Sequence, residues 1–169
     1  MFTLDAIMTT ELITLLPTAN LAEARELMHK NKIHHLPVVD DNNTLIGLVT
    51  LTNVLAATDS ILREPDNSIH PTDVIVKDIM VTDVATVDEH ANLRQAALFL
   101  EKHQIGCLPV VDDGKLVGIV TEPDLFRLLI DLFGTRRKGL RATLRVPERA
   151  GELADAARAI ADAGGNVIS

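Results

Sequence analysis

A chain of 169 residues, 47% hydrophobic and 24% charged, is long enough for one substantial core or two small ones of a soluble globular protein. Only 2% of it is aromatic, with no Trp or Tyr, so the core must be aliphatic. A formal charge of -8 opposes a nucleic-acid groove, and a single cysteine, Cys107, excludes an intrachain disulfide. The short basic run Thr135 to Lys138 reads as a solvated linker. The N-terminus lacks the apolar run of a signal peptide, and no stretch reaches membrane-spanning length. The expected compartment is therefore the cytoplasm, with no membrane partner.

In chain order, "LITL" at Leu12 to Leu15 reads as a short extended piece. A helix follows, with Asn20 and Glu23 at capping-box spacing and Leu21, Ala24, Leu27 and Met28 on one stripe. Strand "LPVVD" from Leu36, a turn, and strand "LIGLVT" from Leu45 lead to a second helix beginning near Thr50. The segment from Ala56 to Val76, marked by Pro65, Asp66, Asn67 and Pro71, reads as a joining loop after that helix finishes.

The same order then returns. Ile79, Met80 and Thr82 repeat Ile7, Met8 and Thr10 at an offset of 72, and Ala91-Asn92-Leu93 repeats Ala19-Asn20-Leu21. Asn92 with Gln95 has capping-box spacing, and Leu93, Ala96 and Leu100 share a stripe. "IGCLPVVDD" at Ile105 to Asp113 repeats "IHHLPVVDD" at Ile33 to Asp41, changing only at His34-His35 against Gly106-Cys107. One residue fewer in the second turn makes the offset 71, and "LVGIVTEPDLF" lies on "LIGLVTLTNVL". Two β-α-β-β-α units of about 50 residues are each marginal alone and are expected to pack on each other. Their central strands, continuous Val/Ile/Leu runs, suggest a sheet buried by helices. The expected division is 1–62 for the first unit, 63–76 for a linker, 77–133 for the second unit, 134–139 for a linker and 140–169 for a tail.

Each unit carries a threonine at a strand-to-helix junction. Thr121 and Asp124 stand three apart, where free helix N–H groups suit phosphate and a carboxylate can accept from both hydroxyls of a ribose. The same spacing also serves plain helix capping. Thr50 keeps its place in the first unit, but Asn53 replaces the acid, which predicts a weaker or different site there. His34-His35 can carry charge near neutral pH, whereas Gly106-Cys107 is small and could admit a flat base. No metal site is expected, because adjacent strand residues point to opposite faces and no zinc-ligand spacing occurs. Cys107 reads as a part-buried thiol, and Met8 and Met80 as packing residues.

These residues resemble the CBS-domain family: "IM-x-T" at Ile7 and Ile79, then a helix, "LPVVD", and "G-h-V-T-x-x-D", twice, over roughly Leu4 to Leu129. The resemblance implies an α/β module with pseudo-twofold symmetry that forms disc-like homodimers. It further implies a regulatory role, without catalysis or a catalytic cofactor, through adenosine-containing ligands: AMP, ADP, ATP or S-adenosylmethionine. Carried onto this chain, one cleft takes Thr82, Val84, Ile105, Gly106, Cys107, Leu108, Pro109, Thr121 and Asp124. The other takes Thr10, Leu12, His34, His35, Pro37, Thr50 and Asn53, and His34 or His35 is also expected to approach phosphates in the first-named cleft from the other copy. The second helices, near Val54-Leu55 and Leu125 to Leu129, are the expected dimer surface. A scaffold with empty clefts and a nucleotide-processing enzyme are the alternatives. Against the enzyme, the sequence has no G-x-S-x-G, P-loop, dinucleotide fingerprint or zinc-ligand cluster.

In the tail, "LRATLRV" from Leu140 alternates like a strand, Gly151 to Ala163 reads as a helix stopped by Gly164-Gly165, and "NVIS" as a beginning strand. "VPERAGELADAARAIADAGGNV" resembles the start of an ACT domain, a regulatory fold that often binds amino acids. The family's tight "D-x-P-G-x-L" loop is loosened here to "VPERAGEL". A lone strand and helix would bury too little surface to order alone, so the tail is expected to be mobile or to pack on another chain.

Overall fold

The computed structural model describes residues 4–62, 69–132, 143–165 and 167. The basic run Thr135 to Lys138, most of "NVIS" and the first three residues of "LRATLRV" lie outside them. Two compact units are distinguished, residues 1–125 and 126–169.

The first unit holds both repeats. Helix α1 (Leu21–Asn31), strands β1 (His35–Val39) and β2 (Leu45–Thr50) and helix α2 (Leu51–Leu62) form the first. A short helix α3 (Val76–Ile79) precedes the second: β3 (Val87–Asp88), α4 (Leu93–His103), β4 (Cys107–Asp112), β5 (Lys115–Thr121) and α5 (Glu122–Leu132). The last of these helices runs on into the second unit. No helix among the described residues is long and apolar enough to cross a membrane.

Local chemistry explains the boundaries. Asn92 and Gln95 close a full capping box, each side chain accepting from the other's backbone N–H at 2.9 Å. Asn20 makes only half of one, accepting from Glu23 N–H at 2.9 Å. Both helices end on a residue in the left-handed region, Lys32 and Gln104. The expected stripes face inward, with Leu21, Ala24, Met28, Ala96 and Leu100 buried.

Strands β1 and β2 pair antiparallel, as do β4 and β5, while β3 runs parallel to β4. In the first repeat the opening strand shrinks to a single bridge between Leu15 and Val38. The β4–β5 turn places Asp113 and Gly114 at positive φ, as a two-residue hairpin with the strands' own twist requires. The longer first turn is organised by the Asp40 carboxylate, which accepts from the N–H groups of Asn42 (2.9 Å) and Thr44 (2.8 Å). Chiefly the Thr44 N–H holds the Asp40 pKa below the usual carboxylate value. The two hairpin tips bond to each other through Leu45 N–H to Gly114 O (3.1 Å) and Leu116 N–H to Asn43 O (3.0 Å).

The repeats exchange their leading segments. Leu4 and Val76, equivalent by the offset of 72, are both fully buried. Leu4 packs with Ala96, Leu100, Leu108 and Val120 of the second repeat, and Val76 with Leu21, Leu36 and Val49 of the first. Thr9 pairs with Ile119, and Val81 with Leu48, each through two backbone hydrogen bonds of 2.9–3.0 Å. Met8 lies across Gly118 and Met80 across Gly47, where any Cβ would collide with the methionine sulfur. A third cluster of Leu48, Cys107 and Ile119, flanked by Leu12 and Val84, joins the repeats.

In the second unit, helix α6 (Glu152–Asp162) lies close to its expected span. Gly151 at φ 98° begins it, Arg149 and Glu152 form an ion pair at 2.9 Å, and Gly165 N–H donates to Ile160 O at 2.9 Å beyond its end. The strand expected before it is not formed in its described part. Thr143 to Val146 pair with no strand, and Leu144 and Val146 are exposed. Alternation alone cannot hold a strand without a neighbouring edge to bond. No residue of α6 is buried, so its apolar stripe covers nothing among the described residues.

Candidate functional site

The two strand-to-helix junctions share one backbone design. Thr50 ends β2 opposite His35, and Thr121 ends β5 opposite Cys107. The N–H after each threonine bonds across to the partner strand's approach: Leu51 N–H to His34 O at 2.8 Å, Glu122 N–H to Gly106 O at 3.2 Å. Each threonine then donates twice to the residue three positions on. Thr121 gives its N–H (2.9 Å) and its hydroxyl (2.6 Å) to one oxygen of Asp124. Thr50 gives the same pair, at 2.9 and 2.7 Å, to the side-chain oxygen of Asn53. The capping interaction is thus present in both repeats. What differs is charge: Asp124, 5% exposed, is a buried carboxylate held by charge-assisted bonds, while half-buried Asn53 is neutral.

The two letters that break the repeat face each other. A Cβ on Gly106 would stand 3.4–3.5 Å from the His35 imidazole and 3.9 Å from a Glu122 carboxylate oxygen. The His35 ring of the first repeat therefore lies over the bare backbone of the second, and a second bulky pair there would crowd it. Burial holds the His35 pKa below the usual histidine value, His34 adds to that, and Glu122 pulls the other way. Cys107, at the position equivalent to His35, is 3% exposed, and desolvation pushes its thiol up to about 12. It is a packing thiol, not a nucleophile.

Of the other residues read from the sequence, Thr82 and Thr10 are exposed and Ile105 is half-buried. Leu12 and Val84 pack against the cluster between the repeats. Leu108, Pro37 and Pro109 are fully buried, so their side chains belong to the core, leaving backbone as their contribution to any cleft. Val54 is also a core residue, whereas Leu55, Phe126 and Leu129 are exposed. A groove of about 1150 Å³ runs along the first repeat's helices, lined by Leu21, Arg25, Lys32, His34, Leu51 and Leu55 among others, but by none of Thr50, Asn53, Thr121 and Asp124.

Glu122 was not singled out in the sequence. Its signal was present as one of two charged differences in "VTEPD" against "VTLTN", beside Asp124 against Asn53, with Leu51 in its place in the first repeat. The facing of His35 and Gly106 left no signal beyond the broken repeat itself.

The comparisons with known proteins agree with this architecture. The CBS domain profile matches residues 4–60 and 76–131. A homoserine O-acetyltransferase of Methanocorpusculum labreanum is 35% identical over 124 residues, which cover 73% of this chain but only 23% of that protein. An acetoin utilization protein, AcuB, from Vibrio cholerae superposes with a TM-score of 0.73 at 36% identity, covering 82% of this chain and 98% of that one. CBSX2 in complex with AMP gives 0.68 at 32%, covering 79% and 99%. A CBS domain pair in complex with 5′-methylthioadenosine and S-adenosyl-L-methionine gives 0.64 at 29%, covering 80% and 98%. With two matched copies spanning most of its length, the chain belongs to the CBS domain family.

Proposed function

We propose that the chain is a non-catalytic regulatory module that binds adenosine-containing ligands between its repeats. The observation that carries this reading is the duplicated threonine junction, in a fold whose relatives were solved with AMP and with S-adenosylmethionine. In the second cleft Asp124 meets the ribose hydroxyls, the backbone from Ile105 to Pro109 borders the base with Thr82 and Val84, and Thr121 and the first turn of α5 face the 5′ substituent. The first cleft uses Thr10, Leu12, Pro37, Thr50, Asn53, His34 and His35, and binds more weakly because Asn53 lacks the charge. Ligand binding acts by favouring one geometry of a homodimer over another. The exposed Leu55, Phe126 and Leu129 supply apolar surface for that dimer, and light scattering tests it. We place the module in the cytoplasm and read the tail as part of an ACT-like domain.

A thermal-shift panel of AMP, ADP, ATP, S-adenosylmethionine and NAD tests the binding reading. A ligand present at about 100 times its Kd adds about 2.7 kcal/mol to the folded state. A panel that leaves the melting temperature unmoved supports a scaffold instead, with Thr121 and Asp124 serving only as helix caps.

A further inference from the structure

The two junctions differ in charge as well as in strength. The first turn of α2 holds no acidic residue, while that of α5 holds Glu122 and Asp124. The backbone of Glu122 is fixed at the cleft, its N–H bonding to Gly106 O, while its side chain is exposed. Its carboxylate reaches to 3.9 Å from the Cβ position of Gly106, the same spot the His35 ring covers. The titratable group that shares this spot is His35, whose pKa burial holds below the usual histidine value although Glu122 pulls it upward. In the first repeat Leu51 stands in that place, half-buried and uncharged, with His34 brought beside it by the bond from Leu51 N–H to the His34 carbonyl.

A helix start attracts phosphate through its free N–H groups and dipole, but an acid in that same turn already meets the dipole and repels a second anion. We propose that Glu122 is a specificity-determining residue: it makes the second cleft select adenosine ligands whose 5′ substituent is a neutral thioether or a cationic sulfonium over those bearing a polyphosphate. This rests on the adenosine reading of the cleft and names its ligand class. The first cleft, with Leu51 and Asn53, lacks the acid and does not discriminate against phosphate. Asp124 contributes equally to all these ligands, because each carries the same ribose.

The test is titration of the full chain with 5′-methylthioadenosine, S-adenosylmethionine, AMP and ATP, read at the amide resonances of Gly106 and Thr121. These report the second cleft separately from the first. Wild type binds 5′-methylthioadenosine and S-adenosylmethionine there more tightly than ATP. Glu122→Leu, which copies the first repeat on the same backbone, raises ATP affinity by about tenfold and leaves 5′-methylthioadenosine within about twofold. Glu122→Gln, which keeps the shape and removes the charge, does the same. If both variants move every ligand alike, or none, Glu122 only complements its helix and the discrimination is overturned while the cleft stands. If no adenosine ligand moves either amide, the cleft reading falls and this inference with it.

Discussion

The first and second repeats place equivalent residues at equivalent points, and they differ where side chains meet between copies or at the helix starts. Leu4 answers to Val76, Met8 to Met80, Gly118 to Gly47 and Leu12 to Val84, and each pair plays one role on both sides. The pairs that do not match are His35 with Cys107, His34 with Gly106, Leu51 with Glu122 and Asn53 with Asp124. Residues that fill a repeat's own core tolerate duplication, because each core is a separate copy. Where His35 of the first repeat packs on the second it meets Gly106, the counterpart of its neighbour His34, so a second bulky pair at Gly106-Cys107 would crowd that contact.

The largest effect should come from breaking the exchange of leading segments. Leu4→Ala and Val76→Ala empty fully buried sites and should cost about 2–4 kcal/mol. Hydrogen exchange checks the direction: Leu4→Ala should loosen β4 and β5 of the second repeat, and Val76→Ala should loosen β1 and β2 of the first. Loosening of the mutated segment's own repeat would contradict the exchange.

A smaller effect separates the two glycines. At Gly47 an added Cβ meets Met80 and also the carbonyl oxygen of Val81 at 3.1 Å, while at Gly118 its nearest neighbours are all atoms of the flexible Met8 side chain. Gly47→Val should therefore cost about 2–3 kcal/mol and Gly118→Val about 1–2 kcal/mol, measured by denaturant unfolding. Equal costs would mean the two methionine contacts are not distinguished by the backbone beside them.

Much of this was legible in the sequence. The asparagine caps with partners three residues on fixed both helix starts, and the apolar runs with their turns located the four central strands, because these are local signals. Helix α2 ran on to Leu62, past the point at Ala56 where a loop was expected to begin, since its inward residues Val54 and Ile61 continue to find the core. The exchange was not legible, because a repeat shows which residues are equivalent but not which copy they enter. Val76 fell into the expected linker for the same reason, although it is a core residue. Alternation describes a face and not a partner, and among the described residues no strand pairs with Thr143 to Val146.

The smallest effect concerns pH. His35 has a folded-state pKa below its unfolded value of 6.5, so the unfolded chain binds the proton more readily. Its contribution to stability is complete above about pH 6.5 and is lost as the pH falls through the lowered folded value. Wild type should lose more melting temperature than His35→Asn between pH 7 and pH 5. Parallel pH curves for the two proteins would show that the His35 ring over Gly106 does not resist protonation.

We propose that the shared backbone junction becomes the stronger adenosine site where the residue three positions after the threonine is an aspartate. Titration calorimetry of AMP and S-adenosylmethionine against wild type and Asp124→Asn tests it most directly, since the substitution makes the second junction a copy of the first. Hydrogen bonds to a charged group contribute roughly 1.5–3 kcal/mol against about 1 for neutral ones, so the account predicts a loss of about tenfold in affinity. Affinity unchanged for both ligands would contradict it and leave Asp124 as the cap of a helix.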